Sequence, residues 1–143
     1  MMKNEMCLEF DSISANEAFA RVTVAAFMTQ MNPSMEEVAD VKTAVSEAVT
    51  NAIIHGYLGE VHKIVITGEI EDDWLRITVE DKGTGIADIE KAMEPLYTTR
   101  PELERSGMGF LFMEAFMDEV QVESEPGKGT AVHMKKRIKS QEA

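Results

Sequence analysis

The sequence predicts an α+β fold, a two-layer sandwich in which a mostly antiparallel, mixed sheet is covered on one face by helices. Three observations predict it. Two capping-type sequences, Ser14-Ala15-Asn16-Glu17 and Ser34-Met35-Glu36-Glu37, each open a stretch with helical spacing in the first third of the chain. β-rich runs over 63–70 and 74–81 are separated only by Glu71-Asp72-Asp73, the pattern of an antiparallel hairpin. Two further β-rich runs, 120–124 and 130–138, flank Pro126-Gly127-Lys128-Gly129. Helices gathered early and strands joined by hairpins argue for helices on one face of the sheet.

The elements follow in order. Residues 5–10 alternate loosely and end at Asp11-Ser12, which predicts a short first strand. The first helix opens at Ser14, carries Ala18, Val22, Ala25, Ala26 and 28–31 at helical intervals, and stops at Asn32-Pro33. The second opens at Ser34 and runs to about His55-Gly56, with Val38, Val41, Val45, Ala48, Val49, Ala52 and Ile53 as its core stripe. After the 63–81 hairpin, residues 82–106 lose periodicity apart from a short helix predicted over 86–93, and a loop of that length suits a lid or binding loop. Helical spacing returns through Met108, Leu111, Phe112, Ala115 and Phe116 before the closing strands. The basic stretch 135–139 reads as a solvated strand end.

At 143 residues the chain fits a single domain, 1–143. With 26 acidic against 14 basic residues its net charge is −12, which argues against direct nucleic-acid binding. A lone Cys7 can form neither an internal disulfide nor a zinc cluster, so a reducing, cytoplasmic setting is expected. Neither a leader-like opening nor an apolar run near the roughly 20 residues of a membrane span is found, and no membrane partner is expected.

Four features carry chemistry. Glu47, Asn51 and His55 stand at i, i+4 and i+8 of the second helix, so each step turns about 400° and rises about 6 Å, placing them on one stripe. An amide and a carboxylate so spaced can share a cation and its phosphates, the amide oxygen coordinating while the carboxylate receives a proton. The plainer reading is a solvated helix face. Next, Asp81-Lys82-Gly83-Thr84-Gly85 follows a strand; the carboxylate can accept from an exocyclic amine, and the glycines let backbone approach a planar ring. Alone this is a glycine turn, and it matches neither the dinucleotide fingerprint nor a Walker loop. Third, Arg105-Ser106-Gly107-Met108-Gly109-Phe110 precedes a helix, whose unpaired first-turn amides cradle phosphate, or it is a simple hinge. Last, Gly129-Thr130 enters a strand where a hydroxyl can join Asp81, or it is only a turn.

In this order, E-x-x-x-N on a helix, D-x-G-x-G, a lid ending G-x-G at a helix start, and G-T on a strand, the chain resembles the Bergerat ATP-binding fold of the GHKL ATPases and kinases. The run Ser46-Glu47-Ala48-Val49-Thr50-Asn51-Ala52-Ile53-Ile54-His55-Gly56-Tyr57 resembles the bacterial anti-sigma-factor serine kinases within that group. The resemblance implies that Asn51 binds Mg²⁺ bridging the phosphates of ATP or ADP. It implies that Asp81 reads the adenine amine with support from Thr130, and that Gly83 and Gly85 pack beside the base. Ser106, Gly107, Met108, Gly109 and Phe110 would present amides to the phosphates, and Glu47 would be the general base for a substrate serine. The segment from Thr98 to Arg105 is short beside the lids of the large ATPases in the group, which leaves the roles of Arg100 and Arg105 open.

The resemblance further implies an anti-sigma factor that inhibits a sporulation sigma factor when ATP is bound, phosphorylates an anti-anti-sigma protein, and works as a homodimer. Two other readings stay open: a nucleotide-gated sigma-binding module without phosphotransfer, and a histidine-kinase-like catalytic domain. Arg21, in an apolar and small-residue run of the first helix, is the expected partner contact, able to grip an acidic group in two-pronged fashion. Phe10, Phe19, Val22 and Phe27 are the expected apolar surface for self-association.

Overall fold

The computed structural model describes residues 2–88 and 109–139. Along the chain run β1 (Lys3–Asp11), α1 (Ala15–Met28), a 3₁₀ turn (Thr29–Met31), α2 (Met35–Asn51), a π-helical turn (Ala52–Gly56), β2 (Lys63–Glu71), β3 (Trp74–Asp81), α3 (Gly109–Phe116), β4 (Glu119–Glu125) and β5 (Gly129–Arg137). The strands form one sheet in the order β1-β2-β3-β5-β4, and all four pairings are antiparallel. β1 is longer than its sequence pattern because it pairs with β2 over its whole length, from Lys3 opposite Glu71 to Asp11 opposite Lys63.

Alternation along the strands decides which face is covered. Ile64, Ile66 and Ile70 of β2 and Leu75, Ile77 and Val79 of β3 are buried, while their neighbours in sequence are not. Above them α2 presents Val41, Ala44, Val45, Ala48 and Val49, all buried. Each fully buried Val, Leu or Ile side chain contributes about 1.5–3 kcal/mol relative to exposure. Gly68 of β2 lies under Met6 and Phe27, where a Cβ would stand 3.0–3.2 Å from their side-chain atoms.

α1 departs from its predicted phase. Its buried face is Ala20, Val24 and Met28, whereas Val22 is 58% exposed and Phe19 51%. The helix is apolar on more than one side, so hydrophobic spacing alone does not say which side turns inward. The expected self-association surface is corrected accordingly: Phe10 is buried and Phe27 packs on the core, leaving Phe19 and Val22 exposed. Ser14 is corrected too, since it is itself in helical conformation and its side chain makes no capping bond. α1 ends through the 3₁₀ turn at Asn32, which takes a left-handed φ of 52° ahead of Pro33.

The second capping box forms as its sequence predicts. The Ser34 amide donates to Glu37 Oε1 at 2.9 Å and the Glu37 amide donates to Ser34 Oγ at 3.1 Å. Glu37 Oε2 also accepts from the Lys139 amide at 2.8 Å, tying the chain beyond β5 to the start of α2. Burial pushes the Glu37 carboxyl up, but the bonds from Ser34 and Lys139 outweigh it and hold the group below its ordinary value. The stretch 135–139 is correspondingly stitched down: Lys136 Nζ donates to the Phe116 carbonyl at 2.8 Å, and Arg137 Nε meets Asp73 at 2.6 Å. Replacing Ser34 by Ala is expected to destabilise the fold by about 1 kcal/mol, seen as a lower Tm in thermal melts. Because the folded-state pKa of Glu37 is depressed, its contribution is present above the unfolded value of 4.5 and fades as pH falls through the folded one. The gap between wild type and Ser34→Ala should therefore be widest near neutral pH.

Candidate functional site

The site is built where three chain segments end against one another. The first is the C-terminal end of α2, which carries Glu47 and Asn51 one turn apart. Both side chains lean toward Gly109, the buried first residue of α3: a Cβ placed there would lie 3.1 Å from Asn51 Nδ2, 3.3 Å from Asn51 Oδ1 and 3.3 Å from Glu47 Oε2. Glycine at this position lets the start of α3 approach an amide and a carboxylate that already face each other's space. Directly after Asn51 and ahead of His55 the helix changes to a π turn, Ala52–Gly56. His55 meets the site loop through its backbone, its carbonyl accepting from Thr84 Oγ1 at 3.0 Å.

The second segment is the end of β3. Asp81 is 6% exposed and lies on the covered face of the sheet, since β3 alternates inward at Leu75, Ile77, Val79 and Asp81. Its Oδ1 accepts from the Gly83 amide at 2.9 Å, and the Thr130 amide also bonds to its carboxyl. Burial nevertheless dominates and pushes the carboxyl above its ordinary value of 3.8, the amides of Gly83 and Thr130 pulling the other way and Glu80 adding to the rise.

The third segment is the turn from α2 toward β2. Gly56 packs so closely on Asp81 that a Cβ there would stand 2.8 Å from the carboxyl carbon. A Cβ on Gly83 would fall 1.9 Å from the Gly56 carbonyl oxygen. The Thr84 amide donates to that same carbonyl at 2.9 Å, and the Gly127 amide donates to the Thr84 carbonyl at 2.7 Å. Gly85 adopts a φ of 75°, a left-handed conformation in which the absence of a side chain matters. Thr130 stands opposite Asp81 in the β3–β5 register, its hydroxyl 2.8 Å from Ser124 Oγ. Ser124 Oγ in turn accepts from the Ile86 amide at 2.7 Å.

Asn51, Glu47, Gly109, Asp81, Gly83 and Thr130 are therefore set around the ends of α2, β3 and α3. Phe110 is half-buried and packs on the core from the first turn of α3. Ser106, Gly107, Met108, Arg100 and Arg105 lie outside the described residues, as does most of the short helix expected over 86–93. Arg21 sits apart on α1, half-buried, its Nη1 3.4 Å from Glu17 Oε1 one turn earlier. A cleft of about 480 Å³ lies against the other side of the Gly56–Gly83 contact, lined by Tyr57, His62, Lys63, Glu80 and Lys82 among others; it holds none of Glu47, Asn51 and Asp81.

Among the described residues no group of three or more His, Cys, Asp or Glu side chains could hold a metal ion. One amide oxygen beside one carboxylate suits instead a hard cation such as Mg²⁺, which takes few protein ligands and completes its shell with phosphate oxygens and water. The notch that a Cβ at Gly109 would fill is consistent with that use.

A family model described as the histidine kinase-like ATPase domain matches residues 12–136. The chain belongs to that family. Among its relatives, the anti-sigma F factor of Oceanobacillus iheyensis is 59% identical over 138 residues, covering 96% of this chain and 94% of the relative. That of Clostridium acetobutylicum is 61% identical over 138 residues, 96% of each chain. That of Geobacillus kaustophilus is 60% identical over 143 residues, 99% of this chain and 98% of the relative. The structure of the RsbU and RsbW domains of a Mycobacterium tuberculosis protein superposes with a TM-score of 0.67 at 18% identity, covering 94% of this chain and 32% of that one, a likeness of fold. This ATPase family member thus groups with the anti-sigma F factors, and an ATPase domain implies that its site takes ATP. No helix among the described residues is long and apolar enough to cross a membrane.

Three contributors escaped the sequence reading. Gly56 and Tyr57 lie within the stretch that carries the family resemblance, yet nothing in their spacing assigns them a place, because the contacts that bring them to the end of β3 are with residues 25 positions away. Ser124 sits in an ordinary alternating strand and left no signal.

The buried carboxylate generates a prediction. A raised folded-state pKa means that the unfolded chain ionises more readily, so Asp81 opposes folding at pH values above its folded pKa, and the penalty is relieved as pH falls toward 3.8. Asp81→Asn keeps an oxygen for the Gly83 amide and removes the charge. The nucleotide-free variant is expected to melt above wild type at pH 7, and the difference should shrink as the pH is lowered; an unchanged or lower Tm at pH 7 contradicts the assignment.

Proposed function

We propose that the chain is an ATP-dependent anti-sigma factor with serine kinase activity, which holds a sigma-F-like factor in its ATP-bound state and phosphorylates an anti-anti-sigma protein. The observation that carries this reading is the convergence of the Glu47 carboxylate and the Asn51 amide on the start of α3, with a buried carboxylate, Asp81, at the other end of the site. The names of relatives about 60% identical over nearly their whole length support the sigma-factor partner.

Each residue has a chemical task under this reading. Asp81 accepts from the exocyclic amine of adenine, with Thr130 and Ser124 completing the polar wall. Gly83 and Gly85 keep the base against backbone. Asn51 would hold Mg²⁺, which when bound neutralises phosphate charge. As the family resemblance implies, amides of the run Ser106 to Phe110, whose last two residues open α3, would face the phosphates. Phosphoryl transfer requires positioning and charge neutralisation above all, and these groups supply both. Glu47, one turn before Asn51, would take the hydroxyl proton of the incoming serine as its oxygen bonds to the γ-phosphorus and the bond to the bridging oxygen breaks, releasing ADP. Arg21 on α1, away from the nucleotide, is assigned to partner contact, and the exposed Phe19 and Val22 beside it to a partner or a second copy.

A nucleotide-gated binder without phosphotransfer shares the pocket but has no use for a carboxylate beside Asn51. Glu47→Gln separates the two. The kinase reading expects Mg-ATP and sigma binding to persist while phosphoserine formation on an anti-anti-sigma protein falls by about 10²-fold or more; wild type that never transfers phosphate under these conditions refutes it. In the same assay series, Mg-ATP at a hundredfold excess over its Kd is expected to stabilise wild type by about 2.7 kcal/mol, and Asn51→Ala should lose most of that response.

A further inference from the structure

Asp81 is gripped from two sides by consecutive residues that make no contact with nucleotide in the reading above. On one side Gly56 leaves the carboxylate no room to retreat, a Cβ there lying 2.8 Å from its carboxyl carbon and from Oδ1. On the other, Tyr57 fixes the backbone that follows. Tyr57 is 7% exposed, and its phenol donates to the Lys63 carbonyl at 2.5 Å and accepts from the Lys82 amide at 2.7 Å. Lys82 is the residue after Asp81, and β3 ends there, so its amide has no strand partner of its own. The phenol supplies one, and ties it to the first residue of β2.

The π turn is what brings Tyr57 to this position. The Tyr57 amide bonds to the Ala52 carbonyl at 2.9 Å, an i to i+5 link that inserts an extra residue relative to a continuing α-helix. Gly56 and Tyr57 are thereby turned toward the end of β3. The same turn follows directly on Asn51, so the segment 51–57 spans both ends of the nucleotide site. Burial raises the phenol's pKa above its ordinary value, the Lys82 amide opposing and Asp81 and Glu80 adding to the rise.

We propose that Tyr57 is a positioning residue for base selection: through the Lys82 amide it holds the Asp81 carboxylate where an adenine amine can reach it, and so sets the preference for adenine over guanine nucleotides. This rests on the nucleotide-site reading above. The chemistry favours a fixed carboxylate because adenine offers an amine donor where guanine offers a carbonyl acceptor. A fixed carboxylate rewards the first and repels the second; one free to swing aside does neither well.

The test measures Mg-ATP and Mg-GTP affinity by calorimetry for wild type, Tyr57→Phe, Asp81→Asn and the double variant. Tyr57→Phe is expected to weaken Mg-ATP about tenfold while changing Mg-GTP by less than about twofold, with kcat at saturating ATP unchanged. In the Asp81→Asn background the same substitution should alter Mg-ATP affinity by less than about twofold, because its effect runs through that carboxylate. Lys82→Ala, which keeps the backbone amide, should behave as wild type. Gly56→Ala presses on the carboxylate from the opposite side and should lower the ATP-to-GTP preference in the same way, an arm that does not depend on the phenol. Equal losses for ATP and GTP in Tyr57→Phe, a full tenfold loss retained in the Asp81→Asn background, or an unaltered preference in Gly56→Ala would each overturn the proposal and leave Tyr57 a structural residue. Wild-type Mg-ATP affinity in Asp81→Asn alone would overturn the site reading itself and the proposal with it.

Discussion

The constraint on which the rest of the structure depends is the burial of one carboxylate, Asp81, at the end of a central strand. A charged group is costly to bury unless amides surround it, and side chains on the neighbouring segments would keep those amides at a distance. The chain meets this with glycine. Gly56 touches the carboxylate, Gly83 packs on the Gly56 carbonyl, and Gly129 packs on the Asp81 carbonyl, where a Cβ would stand 2.1 Å away. The end of α2, the end of β3 and the start of β5 are thereby brought within backbone distance of one another. The amides of Gly83 and Thr130 offset only part of the desolvation cost, because the net shift of the carboxyl is upward. A carboxylate buried in this way is costly to the empty fold and a strong recognition group for a donor that fits it.

The fold supplies the stiffness this arrangement needs. α2 is anchored at its start by a complete capping box and by the Lys139 amide, and along its length by buried Val41, Ala44, Val45, Ala48 and Val49. Its far end is pinned to the sheet by the Thr84–Gly56 and Tyr57–Lys82 bonds. Glu47, Asn51 and Asp81 thus stand on elements fixed at both ends, and not on loops. Under the proposed phosphoryl transfer, a displacement of about 1 Å would cost up to about 10²-fold in rate, so such anchoring would serve the chemistry as much as stability.

Much of this was legible in the sequence, and the residues show why the remainder was not. The β2–β3 hairpin and the second capping box are local: each is written in contiguous residues and each formed where its pattern said. Glu47 and Asn51 were readable because helical spacing converts directly into a shared face. The phase of α1 was not, since Ala18, Val22, Ala20 and Val24 are all acceptable to a core and only tertiary packing chooses among them. Ser14 had the spacing of a capping box but took a helical conformation, which removed the geometry the box requires. Tyr57 and Gly56 were invisible as positioning groups, because what they position is 25 residues away and is reached through a π turn that no periodicity announces. The described region brings Glu47 and Asn51 to Gly109 and seats Asp81 among its glycines; the run 106–108 expected to cradle phosphate lies outside it.

The same helical layer connects the nucleotide site to the surface where a partner would be gripped. α1 packs on α2, burying Ala20, Val24 and Met28, while Arg21, Phe19 and Val22 face outward from the turns between. Glu47 stands on α2, the helix that α1 packs against. Under the proposed reading, a protein held at Arg21 would be referred to the nucleotide site through close-packed side chains and not through a flexible linker, and close-packed interiors yield little. Under the proposed kinase reading, the serine would be selected by the fixed reach between the α1 surface and Glu47, into which only a hydroxyl presented at the right height would fit.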